Sequence, residues 1–241
     1  MRTAKDILSA AALLLLDEDY THWTMAELCT WLNLGLDAIC LQKPTANAVT
    51  ANINLAEGTL QVLPVGFTSM LRPVRNIRGP NASRIERKRI TVTDGDVLSA
   101  VSPSWDDPLS VPYAEQVKHV IYDEANPKSF YVYPGNNGTG IMEAVMCSIP
   151  TKVQASGDPE EPSSYGQPLA LDETYHDALL DYVMYRAYSK DMQQAGNAQR
   201  AALHYQQFAN ALGIKVKAET YFSPNAKARL PQSASGLDQG G

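Results

Sequence analysis

Four histidines, a few paired carboxylates, one glycine-rich loop, three cysteines and one run of arginines are the residues whose types could do chemistry here. His176 and His204 fall on neighbouring helical stretches and are spaced to face one another across a hairpin. His22 and His119 stand far from them in sequence. A metal centre needs further ligands, and no Cys/His spacing supplies them. The pairs Asp123/Glu124, Glu160/Glu161 and Asp172/Glu173 sit in a turn, a linker and a helix start. General acid–base work needs carboxylates held in contrasting environments inside one pocket. Asp17-Glu18-Asp19 is either a cation site or, more plainly, a solvated helix end. Gly135 to Gly140 (GNNGTG) has the composition of a phosphate loop but lacks the Lys-Ser/Thr ending and the following helix, so it reads as a hairpin turn. Cys29, Cys40 and Cys147 are odd in number and show no CxxC spacing; they read as reduced, buried small hydrophobes. The expectation is no catalytic residue, no metal and no cofactor.

The charge feature that stands out is basic. Arg72, Arg75, Arg78, Arg84, Arg87, Lys88 and Arg89 crowd into one short stretch of a chain whose net charge is −6. The overall acidity speaks against sequence-wide nucleic-acid binding. The local cluster reads as a patch for an acidic protein surface or phosphate, or as a solvated face. No stacked-aromatic signature of RNA binding accompanies it.

Helices must position these groups at both ends of the chain. Residues 171–213 read as two helices with a break at Gly196-Asn197. In the first, Tyr175, Ala178, Leu179, Tyr182 and Val183 recur on one face, and Asp172 is placed as its N-cap. In the second, Ala198, Ala201, Ala202, Tyr205, Ala209 and Leu212 repeat the pattern, with Phe208 set among them and Gly213 expected at the C-terminal stop. The first helix carries a second apolar side, Leu180, Met184, Tyr185 and Tyr188. Either the N-terminal helices or a neighbouring subunit covers it. Leu180, Met184, Tyr185, Tyr188, Tyr205 and Phe208 are therefore the candidate protein-interface residues.

The N-terminus holds the other helix pair. Thr3 and Asp6 signal the first start, followed by the stripe Ile7, Ala10, Ala11, Leu14 and Leu15. Thr24 and Glu27 form a capping box, with Trp23 and Leu28 placed as a hydrophobic staple. The second helix runs through Trp31, Leu32, Leu36 and Ile39 and stops before Pro44. Arg2 and Lys5 ahead of the leucines imitate a signal peptide, but Asp6 interrupts the basic region and no A-x-A site follows. The apolar run is too short for a bilayer, so no membrane partner is expected.

Between the helix pairs the period changes to two. Val49, Ala51, Ile53 and Leu55 alternate with polar residues, Glu57-Gly58 reads as a turn, and residues 60–63 return. Pro64 and Pro73 confine nearby strands to an edge or a short piece. Residues 71–77 and 89–93 read as strands, with a short helix after Asp94-Gly95. Residues 117–122 and 130–133 form a hairpin, residues 134–138 a turn, and residues 141–149 the last strand, with Ile141, Glu143, Val145, Cys147 and Ile149 on one face. An acidic linker, residues 155–166, leads back to the helices. The expected fold is α+β: a discontinuous helical bundle (residues 1–45 and 167–213), an inserted antiparallel β domain with its linker (46–166), and an extended C-terminal arm (214–241). The arm's composition cannot pack a core alone. Chemistry alone leaves open a soluble α+β enzyme or ligand-binding protein.

One set of segments resembles a known family. Residues 178–191 (ALLDYVMYRAYSKD), 195–202 (AGNAQRAA) and His204-Tyr205 resemble the C-terminal signature of phage head-to-tail adaptor (connector) proteins of short-tailed phages. The resemblance extends to residues 23–33 (WTMAELCTWLN), Lys43-Pro44, Ala48-Val49-Thr50 and residues 130–134 (FYVYP). It covers most of residues 8–213; residues 66–112 match less clearly, and the tail has no equivalent. The resemblance implies a structural, non-enzymatic virion protein at the head–tail junction, present in host cytoplasm during assembly. It implies a homo-oligomeric ring of twelve copies that binds the portal and a downstream tail or nozzle protein. DNA would pass through its lumen without sequence-specific binding. A tail-tube or head-completion component is the neighbouring alternative. Within this picture Tyr221 and Phe222 are expected to anchor the arm in the portal.

Overall fold

The structure, a computed structural model, describes residues 3–77, 88–123 and 125–222, with side chains through residue 213. The fold is α+β. Among the described residues two helices, α1 (Ala4–Leu15) and α2 (Met25–Gln42), precede seven strands and one short helix. The chain closes with α4 (His176–Lys190) and α5 (Asn197–Phe222).

Capping signals set the helix starts. Thr3 caps α1 with its hydroxyl, and Asp6 reaches back to the Thr3 amide, completing the box. The box expected at α2 is half made. The Thr24 hydroxyl accepts from the Glu27 amide, but the Glu27 carboxylate turns away to meet Lys190 Nζ at 2.7 Å on the end of α4. Ile7, Leu8, Ala11 and Leu15 are the buried side of α1. The stripe expected there included Leu14, which is exposed together with Leu13 and Leu16. Asp172 caps a single 3-10 turn ahead of α4 rather than α4 itself.

The helices share one buried cluster, in which Leu28, Leu32, Leu36 and Ile39 of α2 meet Leu179 and Val183 of α4 and Phe208 of α5. Gly35 makes the α2–α4 crossing close: a Cβ there would lie 2.6 Å from Leu179 Cδ1 and 3.0 Å from Tyr182 Cδ1. The linker is not a bare tether. Tyr165 within it is buried in the helical cluster, and its hydroxyl donates to the Pro159 carbonyl.

The strands are β1 (Ala48–Asn54), β2 (Glu57–Val62), β3 (Phe67–Ile77), β4 (Thr91–Val92), β5 (His119–Tyr122), β6 (Ser129–Asn137) and β7 (Ile141–Ser148); α3 (Gly95–Val101) follows β4. They form two sheets, ordered β1-β7-β3 and β2-β6-β5-β4. Ile53, Met70, Met142, Ala144 and Met146 of the first share a core with Val120, Phe130 and Val132 of the second. Pro73 does lie on an edge strand, β3, as its missing N–H requires.

Several expectations in this region are corrected. Glu57-Gly58 is no turn; it opens β2, which belongs to the other sheet from β1. The chain turns earlier, at Leu55-Ala56, because the Gln61 side-chain amide bonds both the N–H and the C=O of Ala56. Residues 134–137 continue β6, and the reversal falls at Gly138, where φ is +84°. Ile141, Glu143, Val145 and Cys147 do share one face of β7, half-buried except at the buried Cys147; the fully buried face is the other one, Met142, Ala144 and Met146. At the C-terminus α5 runs through Gly213 to Phe222. A solvent-facing glycine costs a helix only about 1 kcal/mol, and no residue breaks the run until Pro224. The arm expected from residue 214 therefore begins as helix, and residues 223–241 lie outside the described set.

Candidate functional site

The chemistry-bearing residues are built into structural roles. Asp17 is buried, and its carboxylate accepts from the amides of Thr21, His22 and Trp23 and from the Thr21 hydroxyl at 2.8–3.1 Å. Desolvation pushes its pKa up, but these bonds together outweigh it and hold the carboxyl below its ordinary value. The acidic cluster thus locks the α1–α2 connection through Asp17, and the cation reading loses its central ligand. Burial pushes the Cys29 and Cys40 thiols up to about 11, which leaves them protonated and poor nucleophiles at neutral pH. Among the described residues no group of three or more His, Cys, Asp or Glu could hold a metal ion, and no helix is long and apolar enough to cross a membrane.

His176 and His204 do not face one another. His204 Nδ1 lies 2.9 Å from Asp181 Oδ1, and its ring stacks on Tyr188. His176 is buried with neither ring nitrogen hydrogen-bonded. GNNGTG is a sheet-to-sheet crossing built on Asn136. That side chain is fully buried; it donates to the carbonyls of Ala114 and Glu115 and accepts from the amides of Gly138 and Gly140. A Cβ at Gly140 would collide with Asn136 Nδ2 and the Glu115 carbonyl, which explains glycine there.

The proposed interface residues do come together, but largely within the chain. Tyr185 meets Tyr205 at 5.1 Å between ring centroids, Tyr182 meets Phe208 at 5.1 Å, and Arg200 lies over Tyr188. This aromatic ladder joins α4 to α5. Phe208, Met184 and Tyr188 are buried by it and by the helical core, so of the two covers expected for the second apolar side it is the chain's own helices that reach Met184 and Tyr188. Leu180 and Tyr185 are half-buried, while Tyr205 is exposed at the ladder's edge. Tyr221 and Phe222 form the last turn of α5; their side chains lie outside the described set. Other apolar groups left in solvent on the helical part include Leu13, Leu14 and Leu16 at the end of α1, Leu41 at the end of α2 and Leu203 on α5, with Leu16 90% and Leu41 83% exposed. Leu13, Leu16, Leu41 and Leu203 lie outside the expected stripes, whereas Leu14 is inside the one expected on α1.

The basic stretch is only partly a patch. Arg75 is tied to Glu143 at 2.7 Å. Arg72, Lys88 and Arg89 are exposed. The chain leaves β3 at Ile77 and returns antiparallel beside it, with Arg89 opposite Arg75 and the Asn76 amide bonded to the Lys88 carbonyl. Arg78, Arg84 and Arg87 fall between, outside the described residues.

One junction couples the two halves. Asn33 on α2 donates to the Val153 carbonyl at 2.9 Å and accepts from the Val153 amide at 2.8 Å, as a neighbouring strand would. Lys152 bonds the Asn33 carbonyl and pairs with Asp37. This clip fastens the exit from β7 to the helical part.

The family model described as SU10 adaptor protein matches residues 2–228. No curated protein matches the chain.

Proposed function

The chain belongs to the SU10 adaptor protein family, a family of structural phage proteins, and from that premise we propose that it is a head-to-tail adaptor whose copies form a ring between portal and tail. The observation that carries this reading is the extent of the match: residues 2–228 take in both helix pairs, the strands between them and the start of the tail as one unit. Such a ring, of twelve copies, continues the DNA channel and presents a platform to the next tail protein. DNA passes through it without sequence-specific contacts, which suits an acidic chain.

Exposed leucines on α1 and α2 and the exposed edge of the α4–α5 ladder support repeated subunit contact, since contiguous apolar surface marks protein interfaces. The segment from residue 214 onward is the proposed portal-binding arm, with Tyr221 and Phe222 as its anchors; many copies docking together gain by effective concentration. Arg72, Lys88 and Arg89 supply a basic face for an acidic partner protein.

Mixing the full chain with its portal and measuring particle mass tests this. A discrete multimeric increment on the portal is expected, reduced when the chain ends at residue 213. Absence of any portal-dependent assembly would overturn the reading.

A further inference from the structure

The two sheets have four outer strands, β1, β3, β2 and β4, and three of them carry the devices that discourage a second chain from pairing. β3 has Pro73, two arginines and three register shifts against β7. β2 has a register shift at Gly58/Leu60, and β4 is only 2 residues long. β1 has none of them. It pairs with β7 over all 7 residues without a shift. Its sequence, AVTANIN, holds no charge and no proline, and five of its residues are exposed on the strand. A long, regular, uncharged edge presents unpaired N–H and C=O groups and is a template for another strand.

The pattern of β1 also fits itself. Set antiparallel about Ala51, Val49 faces Ile53 of a second copy, Thr50 faces Asn52, and Ala51 faces Ala51. Only the end pair, Ala48 with Asn54, mixes the two kinds; inside it apolar meets apolar and polar meets polar, and no like charges oppose one another. We propose that β1 pairs with β1 of a second copy of this chain, joining the two β1-β7-β3 sheets into one six-stranded sheet across a two-fold axis. Such a contact is isologous and closes at two copies, so it is not the contact that builds a ring. It holds unassembled chains as pairs. One strand edge buries less than the roughly 1,600 Å² of a standard interface, so the pair is weak and separates on dilution or when stronger assembly contacts compete.

Sedimentation velocity of the full chain over a concentration series tests this. A reversible monomer–dimer equilibrium is expected. The variant Thr50→Lys/Asn52→Lys, altered at two exposed positions, places lysines opposite lysines and should weaken dimerisation about tenfold. Mixing it with Thr50→Glu/Asn52→Glu should restore dimers as the mixed pair. Circular dichroism and melting of each variant establish that it is folded. A wild-type chain that stays monomeric at high concentration overturns the proposal. So does a dimer that both variants leave unchanged, or one that the mixed charges fail to restore.

Discussion

The helical part and the β part of this chain are stabilised by different means. Between the helices, apolar side chains fill the space: Leu28, Leu32, Leu36, Leu179, Val183 and Phe208 are fully buried, and Gly35 lets two backbones approach. Among the strands the apolar core is joined by buried amide side chains that stand in for missing backbone partners. Gln61 shapes the Leu55-Ala56 turn, Asn76 bonds Val117 through both its N–H and its C=O, and Asn136 holds four backbone groups. The difference teaches where each half is fragile. A packed helical face tolerates a change of shape if volume is kept. A buried amide replaced by an alkyl group leaves several donors and acceptors without partners at once.

Breaking this contrast at its strongest point means Asn136→Leu. The Gly138 and Gly140 amides and the Glu115 carbonyl lose this partner, the Ala114 carbonyl keeps only the Asn137 amide, and the loss of stability should reach about 4 kcal/mol, read by urea denaturation; a loss under about 1 kcal/mol would show that water replaces the amide. Next comes Gly35→Val, which forces α2 and α4 apart and should cost about 3 kcal/mol. Here the same scan should show β-sheet signal persisting while helical packing loosens. Equal loss of both would mean that the halves unfold as one unit.

The helical half was legible because its signals are local. Thr3 with Asp6, Thr24 ahead of an apolar run, and the stripes of α2 and α4 all lie within a few residues of what they control. Glu27 shows the limit: its position satisfies the capping-box rule, yet Lys190, 163 residues away, claims its carboxylate. α5 shows another, since its buried seam of Ala201, Phe208 and Leu212 is narrower than its alanine pattern implied. In the β half, period two found strands but not which sheet each joins. That choice is made by Gln61 and Asn136 through contacts that no spacing encodes. As to the candidate site, Tyr185 and Tyr188 of α4 pack against Tyr205 and His204 of α5 within the chain, while Tyr205 stays exposed at the edge. β1's edge was invisible until its sheet neighbours were known.

A finer cut tests the clip between the halves. Asn33→Ala removes both bonds to Val153 and should cost about 2 kcal/mol, with the largest change in hydrogen exchange at the Val153 amide; protection unchanged there would refute the clip. Smaller again is the pH effect of Asp17. Folding favours its carboxylate, so its contribution is present above the ordinary pKa of 3.8 and is lost as pH falls through the lowered folded value. Melting temperature should fall more steeply between about pH 5 and 2 for the wild type than for Asp17→Asn, and identical slopes would contradict the lock at α1–α2.

The most direct measurement is a cryo-electron microscopy map of the assembled head–tail junction at side-chain detail. The account predicts a closed ring of this chain beneath the portal, with helices α4 and α5 recognisable in every copy and Phe208 still sealed between them. A map in which the chain is missing from the junction, or is present there as a single copy outside any ring, would contradict it.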